Sequence, residues 1–361
     1  MEFKDILNQN LLEKLSQKNI KKPMEIQSKA ISRILDGEDV IVHSPTGSGK
    51  TLTYLLPIFQ KLDVESKKAQ AVIIAPTYEL ASQIARVAKF FSTRPEDIAL
   101  LIGGVDKKRQ EAALKTKPLI VIGTLGRVKE MITAKKLSMH YVKTLVFDEA
   151  DRLFSSQNME GIHALVKSTL RDRQILLVSA TMPKGTKDIA QGMMKEPALI
   201  SAGDAMPSTI THLYAIAELR KKTDKLKTLI NSRAIPKALV FVNMPYDVER
   251  TEKRLNFHNI PTRSLHKETD KMDRKVAIES LNNGKIKALV ATDAGSRGLD
   301  IEGLTHVINL DIPSRHKDYI HRAGRCGRAG NPGTVISIVT PREADELQKI
   351  AKKLGITISP I

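Results

Sequence analysis

The chain has 361 residues, 41% of them hydrophobic, and a formal net charge of +18. This length suits two compact domains with ample cores, and such a positive excess favours a polyanionic partner, most simply nucleic acid. A disulfide framework is excluded because Cys326 is the only cysteine, and the absence of a bilayer-length apolar run or a signal-peptide core predicts a soluble, cytoplasmic protein without a membrane partner.

The first half of the chain alternates apolar strand patterns with helical patterns. Its predicted strands are residues 39–43, 71–76, 98–104, 119–123, 144–151 and 174–181. The second half repeats this rhythm, with predicted strands at residues 238–243, 288–293, 306–311 and 333–339. Such alternation predicts an α/β fold with mostly parallel sheets that helices cover on both faces. A Gly/Pro/Ser stretch at residues 201–210 predicts a linker, so we expect domains at 1–207 and 208–361.

The segment SPTGSGKT follows the first predicted strand and precedes a helical pattern. It departs from the phosphate-loop pattern G-x-x-x-x-G-K-[ST] only at its first position, which is Ser44. A Gly-rich loop in this place points backbone N–H groups at phosphates, with Lys50 on the β- and γ-phosphates and the Thr51 hydroxyl on Mg²⁺. A plain turn before a helix is the alternative, but the strand, loop and helix agree on ATP. The loop residues expected to bind ATP are Ser44, Pro45, Thr46, Gly47, Ser48, Gly49, Lys50 and Thr51.

Acidic and small polar residues end two later strands of the first half. Asp148 and Glu149 follow an apolar run, where an acid can hold the Mg²⁺ of a nucleotide and its neighbour can orient and deprotonate a water. The alternative is a pair of surface acids in a turn. Ser179 and Thr181 end the next strand and could bridge these acids to another part of the protein, although alone they could form an ordinary helix cap.

The segment YIHRAGRCGRAG in the second half spaces Arg322, Arg325 and Arg328 three residues apart among glycines. In an ATPase such arginines suggest fingers that reach the γ-phosphate. Contact with an RNA backbone explains the same pattern equally well, and the segment alone leaves both readings open.

Taken in order, these motifs resemble those of DEAD-box ATP-dependent RNA helicases. The resemblance covers essentially the whole chain, and its motifs are SPTGSGKT, APTYELA, the glycine pair at 103–104, TLGR, DEAD, SAT, LVFVN, TDAGSRGLD and HRAGRCGR. Single motifs are weakly specific, whereas the ordered set is highly specific. The family usually has a small residue where this chain has Ser44.

The resemblance implies two tandem RecA-like domains, with ATP and Mg²⁺ as cofactors and RNA as partner. It implies Lys50 and Thr51 on phosphate and Mg²⁺, Asp148 on Mg²⁺, Glu149 as the base, Arg325 and Arg328 as fingers, and Asp300 on the ribose. Gln27 would read adenine and Ile20 would lie against it, while Ser179, Thr181 and His321 would couple the domains. RNA would lie along Pro76, Thr77, Gly104, Thr124, Gly126, Arg127 and Thr292. Contacts to the RNA backbone give little sequence specificity, and the 2′-OH distinguishes RNA from DNA.

Five positions depart from the family pattern. Ile20 replaces an aromatic residue, Met24 a threonine, Tyr78 an arginine, Leu125 a proline and Lys271 a glutamine. We expect weaker nucleotide or RNA binding from them but unchanged phosphate chemistry. The leading expectation is a monomeric RNA helicase that acts in ribosome assembly or RNA decay, with protein partners of those processes. The alternatives are an ATP-dependent RNA clamp without useful unwinding and a DNA helicase.

Overall fold

The computed structural model describes residues 2–44, 48–181, 192–201, 209–266, 268–296, 299, 301, 303–327 and 331–361. They form two compact units, unit 1 up to residue 201 and unit 2 from residue 209. The predicted boundary at 207/208 lies outside the described residues. Within the described ranges no helix is both long and apolar enough to cross a membrane.

Unit 1 is a parallel seven-stranded sheet flanked by helices. Its strands are β1 (Val40–His43), β2 (Ala71–Ala75), β3 (Ile98–Leu101), β4 (Ile120–Thr124), β5 (Thr144–Asp148), β6 (Gln174–Ser179) and β7 (Ala198–Ser201). Its helices are α1 (Gln9–Gln17), α2 (Glu25–Leu35), α3 (Lys50–Lys61), α4 (Tyr78–Phe91), α5 (Lys107–Lys115), α6 (Leu125–Thr133), α7 (Ala150–Leu153) and α8 (Ser156–Lys167). The strand order is β3-β4-β2-β5-β6-β1-β7.

The continuous apolar runs of unit 1 form central strands because both faces of the sheet are covered. In β1, Ile41 packs into the core on one face, while Val40 and Val42 pack into the core on the other. Side chains alternate in this way along any strand, so both sets must be apolar when helices cover both faces. Pro57 lies inside α3 and does not end it.

Unit 2 repeats this architecture. Its strands are β8 (Ile210–Ile216), β9 (Ala238–Phe241), β10 (Thr262–Leu265), β11 (Ala288–Ala291), β12 (His306–Asn309), β13 (Gly333–Val339) and β14 (Ser359–Pro360). Its helices are α9 (Lys222–Ser232), α10 (Pro245–Phe257), α11 (Lys271–Asn282), α12 (His316–Ala323) and α13 (Pro341–Leu354). The strand order is β10-β11-β9-β12-β13-β8-β14, and every pair is parallel.

The predicted α/β class with mostly parallel, helix-flanked sheets is confirmed. Each strand predicted from an apolar run is present, and the predictions of residues 98–104 and 144–151 as single strands were too long. The structure ends β5 at Asp148, because Glu149 has a left-handed backbone and α7 begins at Ala150. The structure ends β3 at Leu101, because Gly104 has a φ of +67° and lies in a turn. Four strands went unpredicted: β7, β8, β10 and β14. Their polar or partly exposed patterns carry a weak strand signal, and β8 begins inside the predicted linker.

Candidate nucleotide and RNA sites

The carboxyl ends of β5, β6 and β1 lie side by side in unit 1, because these strands are parallel neighbours in the order β5-β6-β1. Asp148 ends β5, Ser179 ends β6 and His43 ends β1. The topology therefore brings the predicted phosphate loop, the acid pair and Ser179 to one edge of the sheet. This is the edge at which open α/β sheets bind ligands.

The first position of the phosphate loop, Ser44, is completely buried. Its backbone N–H donates to the Ser179 carbonyl at 3.1 Å, and its own carbonyl accepts from Lys50 Nζ at 2.8 Å. The Lys50 ammonium group is thereby held beside the loop at the first turn of α3. Pro45, Thr46 and Gly47 lie outside the described residues, so their predicted contacts with ATP stay predictions.

Gln27 braces the other end of this loop. Its Nε2 donates to the Gly49 carbonyl at 3.1 Å, and its Oε1 accepts from Met24 N at 2.9 Å. Gly49 has a φ of +79°, and a Cβ there would collide with the Gln27 amide and lie 2.9 Å from Met24 Sδ. A side chain at position 49 would therefore be strained by the backbone conformation and would displace the Gln27 amide. Gln27 is buried rather than an exposed helix former, and Ile20 packs against the apolar cluster around α1. Their roles at adenine stay predictions.

Asp148 is a buried carboxylate with a raised proton affinity. Burial raises its pKa to about 6, the neighbouring Glu149 adds to this rise, and the Tyr54 hydrogen bond and Lys50 oppose it. Its two oxygens accept from Tyr54 OH and from Glu149 N, each at 2.8 Å. Thr51 also bonds to the buried Tyr54 hydroxyl, so Tyr54 connects the two predicted Mg²⁺ ligands. The helical spacing of apolar residues after Lys50 gives no indication of this role for Tyr54.

Glu149 has a left-handed backbone, with a φ of 49°. Such a conformation is uncommon for a residue other than glycine and marks a constrained position. Its carboxylate accepts from Arg152 Nη1 at 2.9 Å, and both side chains are about one-fifth exposed, at 21% each. Asp148 and Glu149 are therefore not two exposed turn acids; one is buried and the other is held at the edge of the site.

Ser179 and Thr181 bond to the last acid of the DEAD segment. Ser179 Oγ accepts from Asp151 N at 3.4 Å and donates to the Thr181 carbonyl at 2.6 Å. The Thr181 hydroxyl donates to the Asp151 carboxylate. These contacts lie within unit 1, so coupling to the second half of the chain stays a prediction.

The candidate RNA residues of unit 1 follow the three adjacent strands on the other side of β5, in the order β3-β4-β2. Thr77 caps α4 after β2, its Oγ1 accepting from Leu80 N at 3.3 Å. Thr124 ends β4, Gly126 lies in the first turn of α6 with open space where a Cβ would be, and Gly104 is exposed after β3. Together with partly buried Pro76, they line one half of the edge, beside the nucleotide half.

Arg127 stabilises the arrangement of these candidate RNA residues. Its Nε lies 2.9 Å from the Glu130 carboxylate, and Nη1 donates to the Val105 carbonyl at 3.2 Å. The side chain is only 12% exposed. Arg127 therefore fixes the turn containing Gly104 against α6, which is a positioning contact in addition to its predicted contact with RNA.

Two family departures are accommodated by packing. Leu125 begins α6 and lies against Gly161 of α8, where a Cβ would come within 3.2 Å of the leucine. Tyr78 begins α4 and packs partly against the core beneath it. The side chain of Lys271, at the start of α11, lies outside what the structure describes.

In unit 2, buried Thr292 follows β11, and its Oγ1 accepts from Gly295 N at 3.0 Å. Its hydroxyl thus shapes the turn at residues 292–295. His321 lies on α12 and is partly buried. Arg325 is buried, and its guanidinium donates to the Leu299 carbonyl at 3.2 Å. Asp300 and Arg328 are outside the described residues, so the ribose contact and both finger roles stay predictions.

Arg322 lies in the core of unit 2, so the finger or RNA contact that the arginine spacing suggested was wrong for this arginine. It is 1% exposed, and its guanidinium makes five hydrogen bonds, which use all its N–H donors. Two reach the Asp293 carboxylate at 2.7 and 2.8 Å, and the others reach Asn243, Asn309 and the Asp311 carbonyl. These partners follow or end β11, β9 and β12, so Arg322 ties three neighbouring strands to α12.

Two family models match the chain. The DEAD/DEAH box helicase model matches residues 24–189, and the helicase conserved C-terminal domain model matches residues 221–330.

Curated relatives extend the match to nearly the full length. The chain is 44% identical to the DEAD-box ATP-dependent RNA helicase CshC of Bacillus cereus over 93% of this chain and 86% of that protein. It is 43% identical to the probable ATP-dependent RNA helicase YfmL of Bacillus subtilis over 94% of this chain and 90% of that protein.

Solved structures agree. Saccharomyces cerevisiae Dbp5 bound to RNA and ADP-BeF3 matches with a TM-score of 0.89 and 25% identity, over 100% of this chain and 95% of that one. Mss116p bound to single-stranded RNA and AMP-PNP matches with a TM-score of 0.87 and 26% identity, over 99% of this chain and 78% of that one. The sheets of both units therefore have the tandem RecA-like fold that the sequence predicted.

Proposed function

The chain belongs to the family of DEAD-box ATP-dependent RNA helicases, and on that premise we propose which of its residues perform ATP hydrolysis and RNA binding. The observation that carries the assignment is the edge of unit 1 where Lys50, Asp148 and Glu149 converge. Three groups meet there at the ends of neighbouring strands. They are the Lys50 ammonium group, which donates to the Ser44 carbonyl, the buried carboxylate of Asp148 and the conformationally constrained Glu149.

ATP binds with its phosphates at the N-terminus of α3, where Lys50 and the backbone from Ser44 to Thr51 face the β- and γ-phosphates. Gln27 reads adenine through its side-chain amide. One N–H of this amide donates to the Gly49 carbonyl and the other donates to the base, while Ile20 lies near the base. On unit 2, Asp300 contacts the ribose. The binding of an adenine nucleotide analogue by Dbp5, in the same fold, supports this arrangement.

The residues present fit a magnesium ion. Asp148 carries a carboxylate whose pKa is raised to about 6 by burial and by Glu149, so a cation there relieves an unfavourable buried charge. Thr51, joined to Asp148 through Tyr54, supplies a neutral oxygen. One carboxylate and one hydroxyl suit Mg²⁺, which keeps several waters and uses phosphate oxygens. When bound, the ion neutralises charge on the β- and γ-phosphates.

Glu149 orients a water and accepts its proton as the water oxygen bonds to the γ-phosphorus and the bond to the ADP oxygen breaks. Before ATP and the attacking water bind, Arg152 holds the Glu149 carboxylate in position. Arg325 and Arg328 of unit 2 supply positive charge at the γ-phosphate, and His321, Ser179 and Thr181 couple this step to RNA. Hydrolysis therefore needs residues of both units, and RNA stimulates it by favouring the state in which they act together.

RNA lies along Pro76, Thr77, Gly104, Thr124, Gly126 and Arg127 in unit 1 and near Thr292 in unit 2. These groups are small or backbone-exposing, with one arginine, and they suit contacts to sugar and phosphate rather than to bases. The substrate is a short RNA duplex of any sequence. We further propose that the protein acts as a cytoplasmic monomer in ribosome assembly or RNA decay, with protein partners from those processes. The support for this part of the proposal is the family resemblance.

The assignment is tested by steady-state ATP hydrolysis of the full chain with and without RNA. Glu149→Gln should lower RNA-stimulated turnover at least about 100-fold while leaving ATP binding within a few-fold. Glu160→Gln, an exposed glutamate on α8, is the matched control and should hydrolyse ATP normally. Turnover of Glu149→Gln within a few-fold of the parent would remove Glu149 from the role of base.

A further inference from the structure

Unit 2 contains a cavity of about 670 Å³ that takes no part in the proposed ATP or RNA site. It lies between the short helical turn at Leu219–Lys221, the first two turns of α10 and the carboxyl ends of β9 and β12. We call it the Tyr246 groove, defined by Leu219, Arg220, Tyr246, Arg250 and Asp311. Its volume is within the range of pockets that hold small molecules or side chains of a partner.

Two large apolar side chains stand exposed at the groove. Leu219 is 73% exposed and Tyr246 is 69% exposed, and both line the cavity. Exposed apolar groups that meet at a concave surface, rather than scattered singly, mark interaction sites. Tyrosine is also among the residues that contribute most to binding energy at protein interfaces.

The charges of the groove are mixed, although the chain as a whole carries +18. It is lined by four cations (Arg220, Lys222, Arg250 and Arg254) and by three carboxylates (Glu218, Asp247 and Asp311). The Lys222 side chain is buried and paired with Glu343, which lies outside the lining. Arg254 is further paired with Asp224, which lies outside the lining, at 2.8 Å. A surface for a polyanion would show an excess of cations. The carboxylates therefore argue against RNA here and favour a partner that carries both donors and acceptors.

The floor of the groove is preformed. Lys222 is buried and donates to Glu343 at 2.9 Å and to the Leu310 carbonyl at 3.1 Å, which fixes α9 against α13 and the end of β12. Asp247 is half-buried facing Asp311, and burial followed by the charge of Asp311 raises its pKa. A carboxylate in this position gains from a new N–H donor. At the rim, Arg220 lies 3.4 Å from the Glu218 carboxylate, and its side chain is 87% exposed, so it can exchange this surface pairing for a carboxylate of a partner.

We propose that the Tyr246 groove docks a short extended peptide of a protein partner, with one aromatic or large aliphatic side chain between Leu219 and Tyr246. A neighbouring acidic residue of the peptide pairs with Arg220 or Arg250, and a peptide N–H donates to Asp247. This mode uses one anchor in a pocket with a charged rim, so the contact is small and reversible. It requires neither ATP nor RNA, and it gives the enzyme a site at which a partner can recruit it.

The test is selection of a random twelve-residue phage-displayed peptide library on the immobilised full-length protein. Enriched peptides are synthesised with a fluorescent label and titrated against the parent and its variants by anisotropy. We expect them to share an aromatic or large aliphatic residue next to an acid. Tyr246→Ala should weaken their binding about tenfold or more, Arg250→Glu should weaken it severalfold, and Tyr246→Phe should retain most of it.

Phe257→Ala is the matched control, because Phe257 is on the same helix, 82% exposed and outside the groove. It should bind the peptides like the parent, and all variants should retain RNA-stimulated ATPase, which shows that they are folded. The proposal is overturned if no peptides are enriched, or if the enriched peptides bind Tyr246→Ala and the parent equally. It is also overturned if a single-stranded oligouridine, rather than a peptide, binds in a manner that depends on Tyr246.

Discussion

The hydroxyl of Tyr54 donates a hydrogen bond of 2.8 Å to the carboxylate of Asp148, across 94 positions of sequence. Both side chains are buried, and the bond lowers the pKa of Asp148 against the opposing effect of burial. Tyr54 lies one helical turn after Lys50 on α3, so the helix proposed to hold the phosphates also supplies a donor that favours the ionised form of Asp148.

Tyr54→Phe should make hydrolysis more sensitive to acid. The change removes a donor to the ionised carboxylate, so the pKa of Asp148 rises above about 6 and less of the metal-binding form is present near neutrality. The acid limb of the kcat/KM profile for ATP should move up by roughly one pH unit. Tyr141→Phe, at a partly exposed ring, should leave the limb in place. An unmoved limb in Tyr54→Phe would separate Tyr54 from the metal site.

Asp148→Asn should stabilise the nucleotide-free protein while abolishing hydrolysis. The folded pKa of Asp148 is about 6, against an ordinary value of 3.8. The folded state therefore binds the proton more tightly than the unfolded one, and stability falls as pH rises from about 4 to about 6 and stays reduced above it. The asparagine carries no charge, so it should raise the free energy of unfolding by about 1–3 kcal/mol at pH 8.

Urea unfolding without nucleotide measures this gain, which should shrink toward pH 4. Asp172→Asn is the control, because Asp172 is an exposed acid paired with Lys143 on the surface, and it should leave the stability close to that of the parent. A loss of stability in Asp148→Asn at pH 8 would show that the carboxylate is not strained by its surroundings.

Arg322→Lys should destabilise unit 2. Lysine has three donors on a point charge and cannot reproduce the five hydrogen bonds of the planar guanidinium, which leaves the buried Asn309 oxygen and other strand-end acceptors without their donors. We expect a loss of about 3–5 kcal/mol, seen as an earlier thermal transition. Arg315→Lys, at a side chain that is 75% exposed, should unfold like the parent. A normal transition for Arg322→Lys would mean that the strand ends are held by other contacts.

Arg127→Gln separates phosphate contact from positioning. If Arg127 reaches RNA, the slope of log affinity against log salt for single-stranded RNA should fall by about 0.7, and affinity should decrease. Fluorescence anisotropy at several salt concentrations measures both, with Arg94→Gln, on the partly exposed pair with Asp97, as control. Weaker binding with an unchanged slope would show that Arg127 acts only through Glu130 and Val105.

The convergence of the phosphate-loop motif and the acid pair on one sheet edge could be predicted from the sequence, because parallel strands carry their carboxyl ends to a common side. An apolar run followed by Asp148 and Glu149 is enough to locate them once the strand order is parallel. Tyr54 and Arg322 could not be assigned in this way. Both contact partners that are far away in sequence. Tyr54 looks like any other residue of a helical pattern, and Arg322 looks like the other two arginines of its evenly spaced set. The bracing of Gly49 by Gln27 is hidden for the same reason.

The central claim, that this chain converts ATP into separation of RNA strands, is tested most directly by strand displacement. A short RNA duplex with a single-stranded extension and a DNA duplex of the same sequence are incubated with the full chain and ATP, AMP-PNP or no nucleotide. The account predicts rapid displacement of the RNA strand with ATP and little displacement of DNA. Retention of intact RNA duplex, despite RNA-stimulated ATP hydrolysis, would contradict the helicase and leave an ATP-dependent clamp, and equal displacement of DNA would contradict RNA as the substrate.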